Sequence, residues 1–350
     1  MALRTLHRCD NIEAMPLVVA APDKFRGTAS APEVAEAIEW AAHDAGWTCD
    51  RAPVADGGEG LLDALAAHLR GVRRRTRVTG PLGVPVDAEW LLAGRTAVIE
   101  MARASGLVLA GGPDGNDPLG ATTAGTGELI AAAVAAGARR VIIGLGGSAT
   151  TDGGRGAIDA LAPHGRLSGV QLVVACDVTT VFADAAEEFG PQKGASPAQV
   201  ALLRRRLDRL AGDYRRRTGV DVSSLAGGGA AGGLAGGLAT LGAELVPGFE
   251  LVAEIIELPE RIAGADLVVT GEGHVDEWSF RGKVVGGVIE MADEAGVEVL
   301  VVAGEVDDEM PVEAESLVAR FGRERAMDDP TGCVAEVVAT ELGRRQGGGR

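Results

Sequence analysis

The fold turns on residues 141–154, VIIGLGGSATTDGG. The β-branched run Val141-Ile142-Ile143 ends in the glycines at 144, 146 and 147. A serine, two threonines and an aspartate follow, and from Gly153 to Leu161 apolar residues return at helical spacing, with Ile158 and Leu161 on one face. This pattern predicts strand, tight loop and helix. Glycines let backbone N–H groups approach a bound group closely, Ser148, Thr150 and Thr151 offer hydroxyls, and the helix offers the positive end of its dipole. A lone glycine pair would speak for a tight turn only. Three glycines, three hydroxyls and Asp152 in one loop predict an anion site.

The 350 residues are enough for two domains, and a 46% hydrophobic content supplies real cores. A balance of 33 basic against 50 acidic residues, net −17, repels a phosphate backbone, so nucleic acid is not an expected partner. Arg73 to Arg75 and Arg204 to Arg206 read as solvated strand or helix faces. Cys9, Cys49, Cys176 and Cys333 stand far apart without CxxC or zinc spacing, which predicts reduced thiols and no structural metal. No apolar run approaches the roughly 18 residues of a membrane span, and the first fifteen residues carry no signal-length apolar core. A cytoplasmic enzyme or binding protein, with no membrane partner, is the expectation; Met15 is a candidate start after a loose extension.

Along the chain, a strand over 17–21 runs into Pro22-Asp23-Lys24-Phe25-Arg26-Gly27, and Ser30 with Glu33 makes a capping box for a helix with Val34, Ile38 and Ala41 inside. Open α/β sheets keep their ligands at such strand ends, making Asp23, Lys24 and Arg26 candidate substrate or phosphate contacts. A strand over 52–54 ends in Asp56-Gly57-Gly58-Glu59-Gly60, a bendable loop whose carboxylates suit Mg²⁺ or a substrate hydroxyl. Short alternating runs from Val72 to Met101 predict an antiparallel meander and mark a domain boundary. A strand over 170–176 delivers Asp177, suited to a metal or a ligand hydroxyl. Lys193, on a bare loop between Gly190 and Gly194, suits a phosphate. Gly227 to Gly242 predicts a helix packed closely on a sheet or ligand. A strand over 265–269 opens into Thr270-Gly271-Glu272-Gly273-His274-Val275-Asp276, Gly282-Lys283 starts a helix, and Val299 to Ala303 is one more strand. The βαβ alternation thus returns after the meander. The expected class is α/β: a Rossmann-like parallel-sheet domain (1–70 and 255–350) with an inserted second α/β domain (71–254) that contains antiparallel strands and the glycine-rich anion loop. Gln346 to Arg350 should be disordered.

With APDKFRG at 21, VADGGEG at 54, IEMARASGL at 99, ATTAGTGEL at 121, GLGGSATTDGG at 144, ACDV at 175, FGPQKGA at 189, GGGAAGGL at 227 and TGEGHVD at 270, the chain resembles the bacterial glycerate kinase family, type 1, over about residues 17–305. The resemblance implies transfer of the γ-phosphoryl of ATP, with Mg²⁺, to a hydroxyl of D-glycerate. It implies that Gly146, Gly147, Ser148 and Thr150 cradle phosphate or the substrate carboxylate. Asp177 and Glu272 would be the acids near the metal and the acceptor hydroxyl, with Asp56 and Asp276 next in line for those roles, and Lys193 and Lys283 would neutralise phosphate. The family has serine and lysine where this chain has Lys24 and Arg26, asparagine at Thr151, and glutamine-threonine at Trp278 and Ser279. After Asp177 the usual asparagine-proline-leucine is replaced by Val178-Thr179-Thr180. Arginine for lysine at an anion contact replaces a point charge with a planar fork. A kinase of a related hydroxy acid and a non-catalytic regulator that binds an anionic metabolite therefore stay as alternatives. A nicotinamide oxidoreductase, suggested by G-x-G-x-x-A at 144, expects a ribose-binding acid about 20 residues after the loop, and Asp177 lies beyond that. Product regiochemistry, the general base and oligomeric state, a homodimer included, stay open.

Overall fold

The apolar runs Leu17–Ala20, Leu267–Thr270 and Val299–Ala303 become strands, each closed off by a proline or glycine just beyond it. The computed structural model describes residues 15–164, 167–280, 283–307 and 310–348. Thirteen strands form among these residues: β1 (Leu17–Ala20), β2 (Thr48–Arg51), β3 (Val72–Thr79), β4 (Pro85–Ala93), β5 (Thr96–Glu100), β6 (Arg140–Gly144), β7 (Gln171–Ala175), β8 (Glu244–Val246), β9 (Leu267–Thr270), β10 (His274–Val275), β11 (Val299–Ala303), β12 (Glu305–Val306) and β13 (Glu315–Ser316).

The first sheet is five-stranded in the order β13-β11-β9-β1-β2, with parallel neighbours throughout. The chain moves outward from β1 to β2, then restarts on the other side of β1 with β9, so the order reverses between β1 and β9. That gap is the switch point where doubly wound sheets leave room for a ligand. β10 and β12 pair as a short parallel extension beside it. The second sheet has six strands in sequence order, β3-β4-β5-β6-β7-β8. Its first three are antiparallel, as the alternation from Val72 to Met101 predicts, and β5 to β8 are parallel. The α/β class with one parallel and one mixed sheet is thereby established.

The sheets share a layer of helices. Leu61, Leu62 and Leu65 of helix Leu61–His68, Phe249 and Val252 of helix Gly248–Ile255, and Val284 and Val288 of helix Val284–Ala295 pack with Val19 and Val268 of the first sheet and with Val98, Ile142 and Val173 of the second. Each fully buried leucine here contributes roughly 1.5–3 kcal/mol by leaving water. On the outer side of the first sheet lie helices Ala31–Asp44 and Pro330–Gly348; on that of the second lie Ala124–Ala135 and Ala230–Ala239. Residue 254, the expected edge of the insertion, falls inside a helix of the shared layer.

Local signals decide most boundaries. Ser30 and Ser196 both close capping boxes, with Glu33 and Gln199. The second strand lies earlier than residues 52–54, at Thr48–Arg51, although Ala52 and Val54 still donate to the Ala20 and Pro22 carbonyls beyond its end. The chain end also differs from expectation. Gln346 belongs to helix Pro330–Gly348, which is tied down by Arg345 on Glu298 at 2.6 Å. The first fourteen residues, with Cys9, and residues 349 and 350 lie outside the described residues, while Cys49, Cys176 and Cys333 are free thiols. The basic clusters are solvated faces laced with ion pairs, Arg73 with Asp63 and Glu89, Arg204 with Asp184 and Glu187. No helix among the described residues is long and apolar enough to cross a membrane.

The two glycine loops meet backbone to backbone. A Cβ on Gly146 would lie 2.7 Å from the Glu59 amide nitrogen and 2.8 Å from Gly58 Cα, and one on Gly57 (φ +85°) would lie 2.6 Å from Gly248 Cα. Backbone cannot retreat as a flexible side chain can, so Gly146→Ala should cost about 1–3 kcal/mol or more. A thermal melt should show a clearly lowered Tm; an unchanged Tm would contradict this packing.

Candidate active site

Both parallel arrays aim their C-terminal ends at one cleft. Asp23 and Lys24 follow β1, Asp56 follows β2, and Glu272 follows β9; across from them Gly146 to Ser148 follow β6 and Asp177 follows β7. Two hollows of the cleft share Asp56, and a third, of about 540 Å³, lies beside them against Lys24, Arg26, Gly60, Glu100, Arg103 and Gly147. Of the first two, one, of about 400 Å³, is lined by Asp56, Gly146, Gly147, Ser148, Asp177 and Lys193 with the apolar Leu107, Leu145, Val178 and Phe189. The other, of about 440 Å³, is lined by Asp23, Lys24, Arg26, Asp56, Glu272, Asp276 and Lys283. Asp56 belongs to both. Of the expected site residues, Thr150 and Thr151 do not border these hollows, and both are buried behind the loop.

The glycine loop is built from behind. Ser148 Oγ accepts from the Thr150 amide at 3.1 Å, and Lys193 Nζ donates to the Thr150 carbonyl at 2.7 Å. Among the described residues no acceptor meets the amide N–H groups of Gly146 and Gly147, so these two donors are free for an anion. The following helix is only Arg155–Leu161, and its N-terminal donors are spent. Asp152 accepts from the amides of Gly154 at 3.0 Å and Gly156 at 3.1 Å, and from Thr123 N and Oγ1 at 2.9 and 2.8 Å. The expected dipole contribution to a ligand is thus used internally. Thr151, expected to offer a hydroxyl, is buried with an unpartnered Oγ1. Ala230 and Ala231 of the glycine-rich segment complete the wall, and Ala231 sits in the left-handed region at φ +51°. Such a conformation in a non-glycine residue costs energy and concentrates at functional sites.

Lys193 corrects another expectation. Its turn, Pro191–Lys193, is pinned by Asn116, whose Nδ2 donates to the Lys193 carbonyl at 2.9 Å and to Ala149 O at 3.0 Å. The side chain is 3% exposed and no bare-loop ammonium. Burial pulls its amine down to about 7, with Asp152 pulling the other way.

Acids crowd the remaining wall. Asp23 is 5% exposed, and burial pushes its carboxyl up to about 7 against the pull of Lys24. Burial works on Lys24 in the opposite sense, but Asp23 and Asp56, at 3.6 and 3.7 Å from its Nζ, leave it raised. Asp177 accepts from the Gly248 amide at 2.6 Å; its surroundings push it up, to about 7, an effect that the open cleft on its other side softens. Glu272 is likewise raised by burial, and its Oε1 is buried without a partner. Asp276 accepts from Ser279 N at 3.0 Å, which shapes the turn Glu277–Phe280. Arg26 is exposed and pairs with no carboxylate among the described residues. Among these residues no three His, Cys, Asp or Glu groups form a ready cage for a metal. Mg²⁺ needs none, since it binds through one or two carboxylates together with substrate phosphates, and the orphaned Glu272 oxygen suits that role.

Two contributions escaped sequence reasoning. Glu100, the last residue of β5, is 3% exposed and accepts from the amides of Gly60 and Leu62, both at 2.9 Å. It carried the same signal as Asp177, an acid ending an apolar strand. Arg323, Ala326 and Met327 wall the second hollow from a divergent C-terminal helix that no motif announced.

Comparison with known proteins decides the family. The model described as the glycerate kinase family matches residues 18–165 and 162–323. The chain belongs to this family. It is 41% identical over 333 residues to the glycerate 2-kinase of Escherichia coli strain K12, covering 84% of this chain and 87% of that protein. It is also 41% identical over 325 residues to the glycerate kinase of Bacillus subtilis strain 168, covering 83% and 85%. A crystal structure described as glycerate kinase 2 from Salmonella typhimurium LT2 superposes with a TM-score of 0.80 at 36% identity, over 95% of this chain and 100% of that one. As a family member, the chain is a kinase whose acceptor is a hydroxyl group.

The raised acid gives a stability prediction. A buried carboxyl held near 7 against an ordinary 3.8 destabilises the fold as it ionises, so its cost grows as pH rises from about 4 through 7. Asp23→Asn removes that cost. The Tm difference between Asp23→Asn and the parent protein should become more positive from pH 5 to pH 8; a constant or falling difference would contradict the desolvation of Asp23.

Proposed function

We propose that this protein transfers the γ-phosphoryl group of ATP, with Mg²⁺, to a hydroxyl of D-glycerate in the cytoplasm, and that residues 1–70 with 255–350 and residues 71–254 act as its two domains. One observation carries the reading: a loop with two open amide donors and a cluster of acids and lysines face each other across a cleft with Asp56 common to both hollows. Phosphoryl transfer asks little covalent chemistry of a protein and much positioning and charge neutralisation. Gly146 and Gly147 bind the phosphates through their amides, with Ser148 and Thr150 holding the loop's shape and Lys193 beneath it. An arriving anion draws the proton back onto Lys193, whose amine sits near 7. Lys24, Arg26 and Lys283 neutralise the acceptor's carboxylate and the moving phosphoryl, with Asp23 and Asp276 orienting them. Asp177 and Glu272 would hold Mg²⁺, which supplies charge neutralisation on the phosphates when bound. Asp56, between the hollows, accepts the hydroxyl proton as the acceptor oxygen attacks.

The exposed Arg26, which pairs with no carboxylate among the described residues, also supports a second reading, a related hydroxy acid as acceptor, because its fork can take a carboxylate in two-point contact. A coupled ADP-release assay with ATP, Mg²⁺ and D-glycerate, repeated with other hydroxy acids, separates the two. Turnover on D-glycerate is the expected result. Turnover on another acid alone would move the assignment to that acid, and ATP binding without turnover would leave a regulator. Asp177→Asn retains an acceptor for Gly248, so it should fold while losing most turnover; near-normal kcat would refute its role.

A further inference from the structure

The loop 56–60 leaves β2 of the first sheet, yet its far end is fastened to the second. Glu100, at the end of β5, accepts from Gly60 N and Leu62 N through one oxygen at 2.9 Å each, across 40 and 38 residues of chain. Its other oxygen takes Arg103 Nε at 2.6 Å, and Arg103 in turn reaches Asp63 at 3.5 Å and Glu89 at 3.8 Å. Helix Leu61–His68 has Gly60 as its N-cap, with no side chain to close its first turn. The closing group ordinarily comes from a local Ser, Thr, Asp or Asn. Here it comes from the opposite sheet.

The consequence reaches the cleft. Gly60 is left-handed at φ +94°, and a Cβ there would stand 3.3 Å from the Lys24 side chain, so the capped end of the loop lies against the stem of the lysine that pairs with Asp56. At the loop's other end Asp56 Oδ1 accepts from the Gly58 amide at 3.0 Å, which couples its carboxylate to the loop backbone. Beneath lies Gly146. We infer that Glu100 is a positioning residue for Asp56: it locks the loop that carries this carboxylate onto the sheet that bears the glycine loop. The inference rests on the phosphotransfer reading only for its kinetic consequence. A carboxylate serving merely as a helix cap would raise stability and leave the chemistry of Asp56 alone.

A double-mutant cycle separates these roles. Glu100→Ala should lower kcat by about 100-fold, the scale of an ångström's misplacement of a reacting group. In an Asp56→Asn background the same change should lower kcat no further, because the group that Glu100 positions is already gone. Glu100→Gln keeps an acceptor for both amides but turns an N–H donor toward Arg103 Nε, so it should restore part of the activity that Glu100→Ala loses. Equal losses in both backgrounds, or a lowered Tm with kcat intact, would overturn the inference. Should Glu100→Ala fail to fold, Glu100→Asp, which withdraws the carboxylate by one methylene, runs the same cycle. Hydrogen exchange provides a readout free of turnover: Glu100→Ala should deprotect residues 56–62 while β5 and β6 keep their protection, and uniform deprotection would contradict a local lock. Absent turnover in the parent protein would overturn the kinase reading, leaving the exchange result to decide the role of Glu100.

Discussion

The cleft exists because two backbones touch. Gly57 and Gly58 lie against Gly144, Gly146 and Gly248 at distances no side chain permits, and this contact sets how closely the C-terminal edges of two separately paired sheets approach. From that spacing follows the rest: the shared layer of helices, the position of Asp56 in both hollows, and the reach of Lys24 to two carboxylates. A helix between the sheets is apolar on both sides for the same reason, as Leu61, Leu62 and Leu65 show.

Closeness has an electrostatic cost. Asp23 and Glu272 are raised first by burial and then by Asp56, Asp177 is raised in the same direction although it stands exposed on the cleft wall, and Lys193 is lowered by burial. A fold selected for stability alone would not gather such groups, whereas a site that neutralises moving charge needs them in place before the ligand arrives. The amides of Gly146 and Gly147 belong to the same design. Among the described residues they are left open, while the first amides of the helix behind them are taken by Asp152 and Thr123.

Much of this was legible in the sequence where one residue type has one physical use. A glycine cluster after the β-branched run at 141–143 located the central loop, and the glycines at 57, 58 and 60 marked the second although the strand before it lay earlier than expected. Serine with glutamate three residues on placed the helix at 31, and alternation from Val72 located the antiparallel strands. What stayed hidden depends on contacts between distant segments. Nothing local tells that Asp152 turns inward to cap its own helix or that Lys193 is buried under Asn116. Nothing local tells that Thr150 and Thr151 face away from the cleft. Glu100 was visible as an acid at a strand end, but its partners lie 38 and 40 residues away in another sheet's loop. The C-terminal wall around Arg323 has no composition that marks it.

The central claim is spatial: both hollows are one site, joined at Asp56. A crystal structure with a non-hydrolysable ATP analogue, Mg²⁺ and D-glycerate tests it most directly. The account predicts the triphosphate on the Gly146 and Gly147 amides, the acceptor's carboxylate among Lys24, Arg26 and Lys283, and Asp56 beside the acceptor hydroxyl. Nucleotide and acceptor bound in separate places, with Asp56 touching neither, would contradict it.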